Sequence, residues 1–131
     1  MAGKTALIID DEPDVTTYHG TVLSDNGWEV YTANSGADGI ALAQEKTPDV
    51  ILLDVMMPEK GGLSTLIALR KDDRTNAIPV VLVTGIQETL TADFEAFLGR
   101  FKAYNPNGYV EKPIDPESLV KTLEELTGSA G

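Results

Sequence analysis

The chain has 131 residues, 42% hydrophobic and 24% charged, with no cysteine and a formal net charge of −11 at neutral pH. That length fits one domain able to bury its own core. The missing thiols exclude a disulfide framework, thiolate metal sites and cysteine nucleophiles, and the acidic balance argues against general binding to nucleic-acid backbones.

No apolar stretch is long enough to span a bilayer, and the opening "MAGKTALIIDDEP" reaches paired aspartates too early for a secretory leader. A cytoplasmic protein is expected. "TALIID" (residues 5–10) reads as a first strand, followed after Pro13 by a helix carrying Val15, Tyr18, Val22 and Leu23. His19 lies in that helix with no partner at a metal-binding spacing, so a solvated or partly packed imidazole is expected. "EVYTA" (29–33) is a second strand, and Ser35 suits the N-cap of a helix containing Ile40, Leu42 and Ala43. "DVILLD" (49–54) is a third strand, and Leu63, Leu66, Ile67 and Leu69 form a helical stripe behind Gly61 and Gly62. "PVVLVT" (79–84) follows as the fourth strand. Phe94, Phe97, Leu98 and Phe101 then recur at helical spacing, before "AYNPNG" breaks the helix. "GYVEK" (108–112) is the last strand, and Leu119, Val120, Leu123 and Leu126 follow "IDPES" as the last helix.

Three of the five strands are apolar on consecutive residues, the habit of parallel strands covered on both faces. Strands alternating with helices need right-handed crossovers, so the expected fold is a doubly wound (βα)5 sandwich of the flavodoxin-like kind, with strand order 2-1-3-4-5. Residues 1–126 would form this domain and 127–131, "TGSAG", a flexible tail.

An open α/β sheet of this order binds ligands beyond the carboxyl ends of strands 1 and 3. Asp10 and Asp11 end the first strand and Asp54 the third. Converging carboxylates need a cation or a shared proton, and an all-oxygen site with open positions suits magnesium. Thr84 brings a hydroxyl to the same rim and Lys112 an ammonium, held ahead of Pro113. A carboxylate nucleophile, a cation, a hydroxyl and an ammonium together suit the capture of a phosphoryl group, with Asp54 as nucleophile. Taken singly each has a plainer use: Asp10 and Asp11 as helix caps, Asp54 as a turn residue, Thr84 as a strand end and Lys112 as a solvated cation.

The segments "LIIDDE", "VILLDVMMP", "VLVTG" and "VEKP" resemble the receiver domain of two-component response regulators, from about Lys4 to about Leu126. The resemblance implies a phosphoacceptor switch that catalyses only its own phosphorylation and dephosphorylation. It implies that Asp54 takes phosphate from a histidine kinase or a histidine phosphotransfer protein, and that Mg2+ is held by Asp11, Asp54 and the backbone carbonyl of Met56, with Asp10 acting through water. Lys112 and Thr84 would contact the phosphoryl oxygens, and Tyr109 would match the family's switch aromatic. A downstream protein target is implied without direct nucleic-acid or membrane binding, and a homodimer stays open.

Thr84 and Lys112 stand 28 positions apart, several more than is usual in the family, which puts the usual output surface around the fourth helix in doubt. The three phenylalanines there could pack a longer helix or leave an apolar strip. Met56 and Ile86, two residues beyond Asp54 and Thr84, correspond to positions that influence phosphoryl loss. Both are apolar and cannot orient water, so slow autodephosphorylation is expected. Two other readings are a magnesium-dependent aspartyl phosphohydrolase, for which "DDEPD" lacks the D-x-D pattern and a cap, and a receiver-like docking module that is never phosphorylated.

Overall fold

The computed structural model describes residues 4–55, 61–85, 99–112 and 115–127. The elements are β1 (Thr5–Ile9), α1 (Pro13–Asp25), β2 (Glu29–Ala33), α2 (Gly36–Lys46), β3 (Val50–Asp54), α3 (Gly61–Lys71) and β4 (Val80–Gly85). After these come a helical turn at residues 99–102 (α4), β5 (Gly108–Lys112) and α5 (Pro116–Thr127). All strand pairs are parallel and the sheet order is β2-β1-β3-β4-β5, as the alternation of strand and helix requires.

Two apolar layers cover the sheet. Alternate residues of the central strands, among them Ala6, Ile8, Leu52, Val81 and Val83, meet Leu23 of α1 and Leu119 and Leu123 of α5. The other set, including Leu7, Ile9, Leu53 and Leu82, meets Ala43 of α2, Leu66 and Leu69 of α3 and Phe101 of α4. The period of two along each strand thus sends successive side chains into opposite layers, and β3 is buried along its whole length. Phe101 is fully buried, so this member of the phenylalanine stripe is core; Phe94, Phe97 and Leu98 lie outside the described residues.

Local chemistry sets the helix ends. Pro13 opens α1, where a missing N–H costs nothing. The Ser35 hydroxyl accepts from the Asp38 amide at 3.1 Å, making the expected N-cap of α2. Thr47, at φ 40°, takes the left-handed conformation that closes α2 before Pro48. The inward stripe of α1 is Thr16, His19 and Leu23, while Tyr18 is exposed. His19, expected at least partly in solvent, is buried.

Candidate functional site at the carboxyl rim of the sheet

β1 and β3 are adjacent in the sheet and in register, Ile9 opposite Leu53, so the residues that follow, Asp10 and Asp54, finish neighbouring strands at one level. Both are buried, at 2% and 5% exposure, in positions whose strand neighbours are apolar. Burying two carboxylates side by side is costly unless charge or hydrogen bonds offset it. Asp10 is held by its surroundings: its amide donates to the Ala33 carbonyl at 3.1 Å, its carbonyl accepts from Asn34 Nδ2 at 2.9 Å, and its Oδ1 accepts from the Glu12 amide at 3.0 Å. The last bond turns the chain sharply from β1 into α1.

Asp10, Asp11 and Glu12 each offer a carboxylate oxygen, and these oxygens all lie within 4.8 Å of one another. Three hard oxygen donors so close, grading from buried Asp10 to exposed Glu12, suit a hard divalent cation that keeps several waters. Asp54 stands outside that tight set, on the adjoining strand, and Met56 lies outside the described residues.

α3 packs directly on the peptide of Asp54. A β-carbon built on Gly62 would meet the Val55 Cα at 2.6 Å and the Asp54 carbonyl oxygen at 2.7 Å, so only glycine lets α3 begin there.

Asp54 pairs with Val83, and Thr84 lies one residue further along β4. Thr84 is fully buried, and its hydroxyl is 3.4 Å from the Val110 carbonyl of β5, a long hydrogen bond directed along the sheet. β5 carries Lys112 opposite Gly85 in backbone register, at the same rim; its side chain lies outside the described atoms. Tyr109, the second residue of β5, is 57% exposed.

The sheet therefore brings the backbones of Asp10, Asp11, Asp54, Thr84 and Lys112 to one edge, in the order β1, β3, β4, β5. Asn34, Glu12 and Gly62 also shape that edge. Asn34 follows the end of β2 at the same rim, where chain position was the one signal it carried, and Gly62 lies in the first turn of α3.

Comparison with known proteins agrees with this architecture. Residues 6–124 match the response regulator receiver domain. The chain is 38% identical over 120 residues to Protein PilH of Pseudomonas aeruginosa, covering 92% of this chain and 94% of PilH. Among solved structures, the chemotaxis protein CheY4 of Vibrio cholerae superposes with a TM-score of 0.84 at 32% identity, covering 95% of this chain and 99% of that one. The receiver domain of the sensor histidine kinase PA1611 from Pseudomonas aeruginosa shares the fold, with a TM-score of 0.84 at 24% identity and coverage of 97% and 99%. That structure has a magnesium ion coordinated in its active-site cleft. Other curated relatives are about twice as long, the chain spanning 51%, 47% and 55% of three transcriptional regulators. No helix among the described residues is long and apolar enough to cross a membrane. With the family's match running through nearly the whole chain and a close relative aligned almost end to end, this chain belongs to the response regulator receiver domains of two-component signalling.

Proposed function

We propose that this receiver accepts a phosphoryl group on Asp54 from the phosphohistidine of a kinase or phosphotransfer protein and relays that event to a protein partner through β4, β5 and α4. The observation that carries the reading is the buried carboxylate of Asp54 at the carboxyl end of an otherwise apolar strand, beside Asp10. Nothing in core packing explains two buried acids on adjacent strands, whereas a phosphoacceptor next to a cation site needs both.

In the transfer, an Asp54 carboxylate oxygen attacks phosphorus, the phosphorus–nitrogen bond of the phosphohistidine breaks, and the imidazole leaves with the electron pair. The product is an acyl phosphate. Mg2+, when bound, supplies positive charge against the phosphoryl oxygens; Asp11 and Asp54, with Met56 through its carbonyl and Asp10 through water, would hold it, and Glu12 lies close to Asp10 and Asp11. Lys112 would neutralise a phosphoryl oxygen, and Thr84 would turn its hydroxyl from the Val110 carbonyl to the phosphoryl group.

That rotation suits a switch. The 3.4 Å bond to Val110 is weak and easily exchanged, and the ring of Tyr109 on the same strand as Val110, exposed here, would turn inward when Thr84 withdraws. The added charge of roughly −1.5 to −2 thus becomes a change of surface at β4 and β5.

The test is exposure to acetyl phosphate or beryllofluoride with and without Mg2+, read by intact mass and Trp28 fluorescence, for wild type and Asp54→Ala. A Mg2+-dependent adduct and signal present only in wild type are expected. Absence of both from wild type would leave a docking module, and turnover of a chromogenic phosphate ester would favour a phosphohydrolase.

A further inference from the structure

Arg70 occupies the last turn of α3, at the amino-terminal end of the sheet and so at the opposite end from the aspartates. A guanidinium has five N–H donors, and here every one is used. Nε donates to the Tyr104 carbonyl at 3.0 Å, Nη1 to the carbonyls of Asn76 at 3.2 Å and Ile78 at 2.7 Å, and Nη2 to the Asn105 carbonyl at 2.9 Å and Asn107 Oδ1 at 3.1 Å. None of these acceptors is a carboxylate. One side chain thus ties the end of α3 to two connections: the one entering β4 and the one entering β5.

Asn107 completes the tie. Its Oδ1 also accepts from the Val80 amide at 2.9 Å, and its own amide donates to the Val80 carbonyl at 2.8 Å. Val80 opens β4, and the next pair along, Val81 with Gly108, begins the β4–β5 ladder. The preceding Asn105 sits at φ 55°, in the left-handed region, and Arg70 holds its carbonyl.

β5 needs such an anchor. It pairs with β4 over five residues, ending at Gly85 with Lys112, and it is reached by a long connection. A tight turn would dictate register; a long connection does not. Slipping by one residue would exchange the faces of Tyr109 and Lys112.

We propose that Arg70 is a positioning residue for phosphoryl transfer: by holding Asn107 against Val80 it fixes the register of β5, and so the height of Lys112 on the opposite rim. The inference rests on the reading of Lys112 as a phosphoryl contact. Lysine could replace Arg70 only in part, having three donors and no planar fork.

The experiment compares Arg70→Met, Arg70→Lys, Asn107→Ala and Lys112→Ala with wild type in phosphorylation by acetyl phosphate. It records maximal rate and half-saturating concentration, together with Mg2+ affinity by calorimetry and hydrogen exchange of the β5 amides. Arg70→Met and Asn107→Ala are each expected to lower the maximal rate about tenfold, as misplacement of a contacting group does. Mg2+ affinity, set on β1 and β3, should stay near wild type while the β5 amides lose protection, and Arg70→Lys should fall between. Wild-type rates in both Arg70→Met and Asn107→Ala, with Lys112→Ala impaired, would overturn the positioning role. So would a fall in Mg2+ affinity parallel to the fall in rate, which marks a general staple. A silent Lys112→Ala would overturn the reading of Lys112 and with it this proposal.

Discussion

Gly62 shows how closely the site is built around single atoms. With 2.6 Å and 2.7 Å between its missing β-carbon and the backbone of Val55 and Asp54, a methyl group would push α3 away from the peptide of the proposed phosphoacceptor. Backbone neighbours cannot swing aside as a flexible side chain can. Gly62→Ala is expected to cost about 1–3 kcal/mol, measured by urea unfolding, and to weaken Mg2+ binding; unchanged values for both would show that α3 tolerates the shift. Met56 and Ile86, outside the described residues, are the positions proposed to set the lifetime of the acyl phosphate. Neither side chain can hold a water for attack, so Met56→Asn with Ile86→Glu is expected to speed dephosphorylation by about tenfold or more. A decay rate equal to wild type in the double variant would refute a role for these positions. Asp10, Asp11 and Asp54 were legible because acids directly after apolar runs conflict with burial. Asn34 was not, since an amide holding a main-chain carbonyl looks like any loop asparagine.

Among the elements, α2 is the one whose start was plainest in the sequence, because an N-cap is a local bond between Ser35 and an amide three residues away. Ser35→Ala is expected to lower stability by about 1 kcal/mol and Ser35→Asp to retain most of it, read from the denaturant midpoint at constant slope. The orientation of α1 was harder to read. Val15, Tyr18, Val22 and Leu23 suggested the stripe; Leu23 is indeed buried and Val22 packs beside it, but one and two turns earlier Thr16 and His19 face inward in place of Val15 and Tyr18. Thr16 can be buried cheaply because its hydroxyl donates to the Pro13 carbonyl at 2.9 Å, while Tyr18 keeps its hydroxyl near water. Hydrophobicity alone ranks Thr16 and His19 below Val15 and Tyr18, the wrong way round for this part of the helix.

For the whole molecule, 21 acidic against 10 basic side chains mean that folding gathers like charge, and among the described residues Asp10, Asp11 and Glu12 cluster at the rim. Monovalent salt should therefore raise the unfolding midpoint by screening. Mg2+ should do more than monovalent salt at equal ionic strength, adding about 1.4 kcal/mol at ten times its dissociation constant, with that increment reduced in Asp11→Ala. If both salts act alike, the rim holds no specific cation.

By itself the sequence determined the order of strands and helices, the parallel sheet and the rim on which the acids stand, because burial on both faces and right-handed crossovers leave few alternatives. Tertiary structure alone decided which face of α1 turns inward, how near α3 comes to Asp54, and where the guanidinium of Arg70 finds its acceptors. Arg70 and Asn107 are 37 residues apart, and Lys4 Nζ caps α5 at the Thr127 carbonyl across 123 residues. Such contacts depend on the packed distance between elements, which no local pattern of residue types encodes.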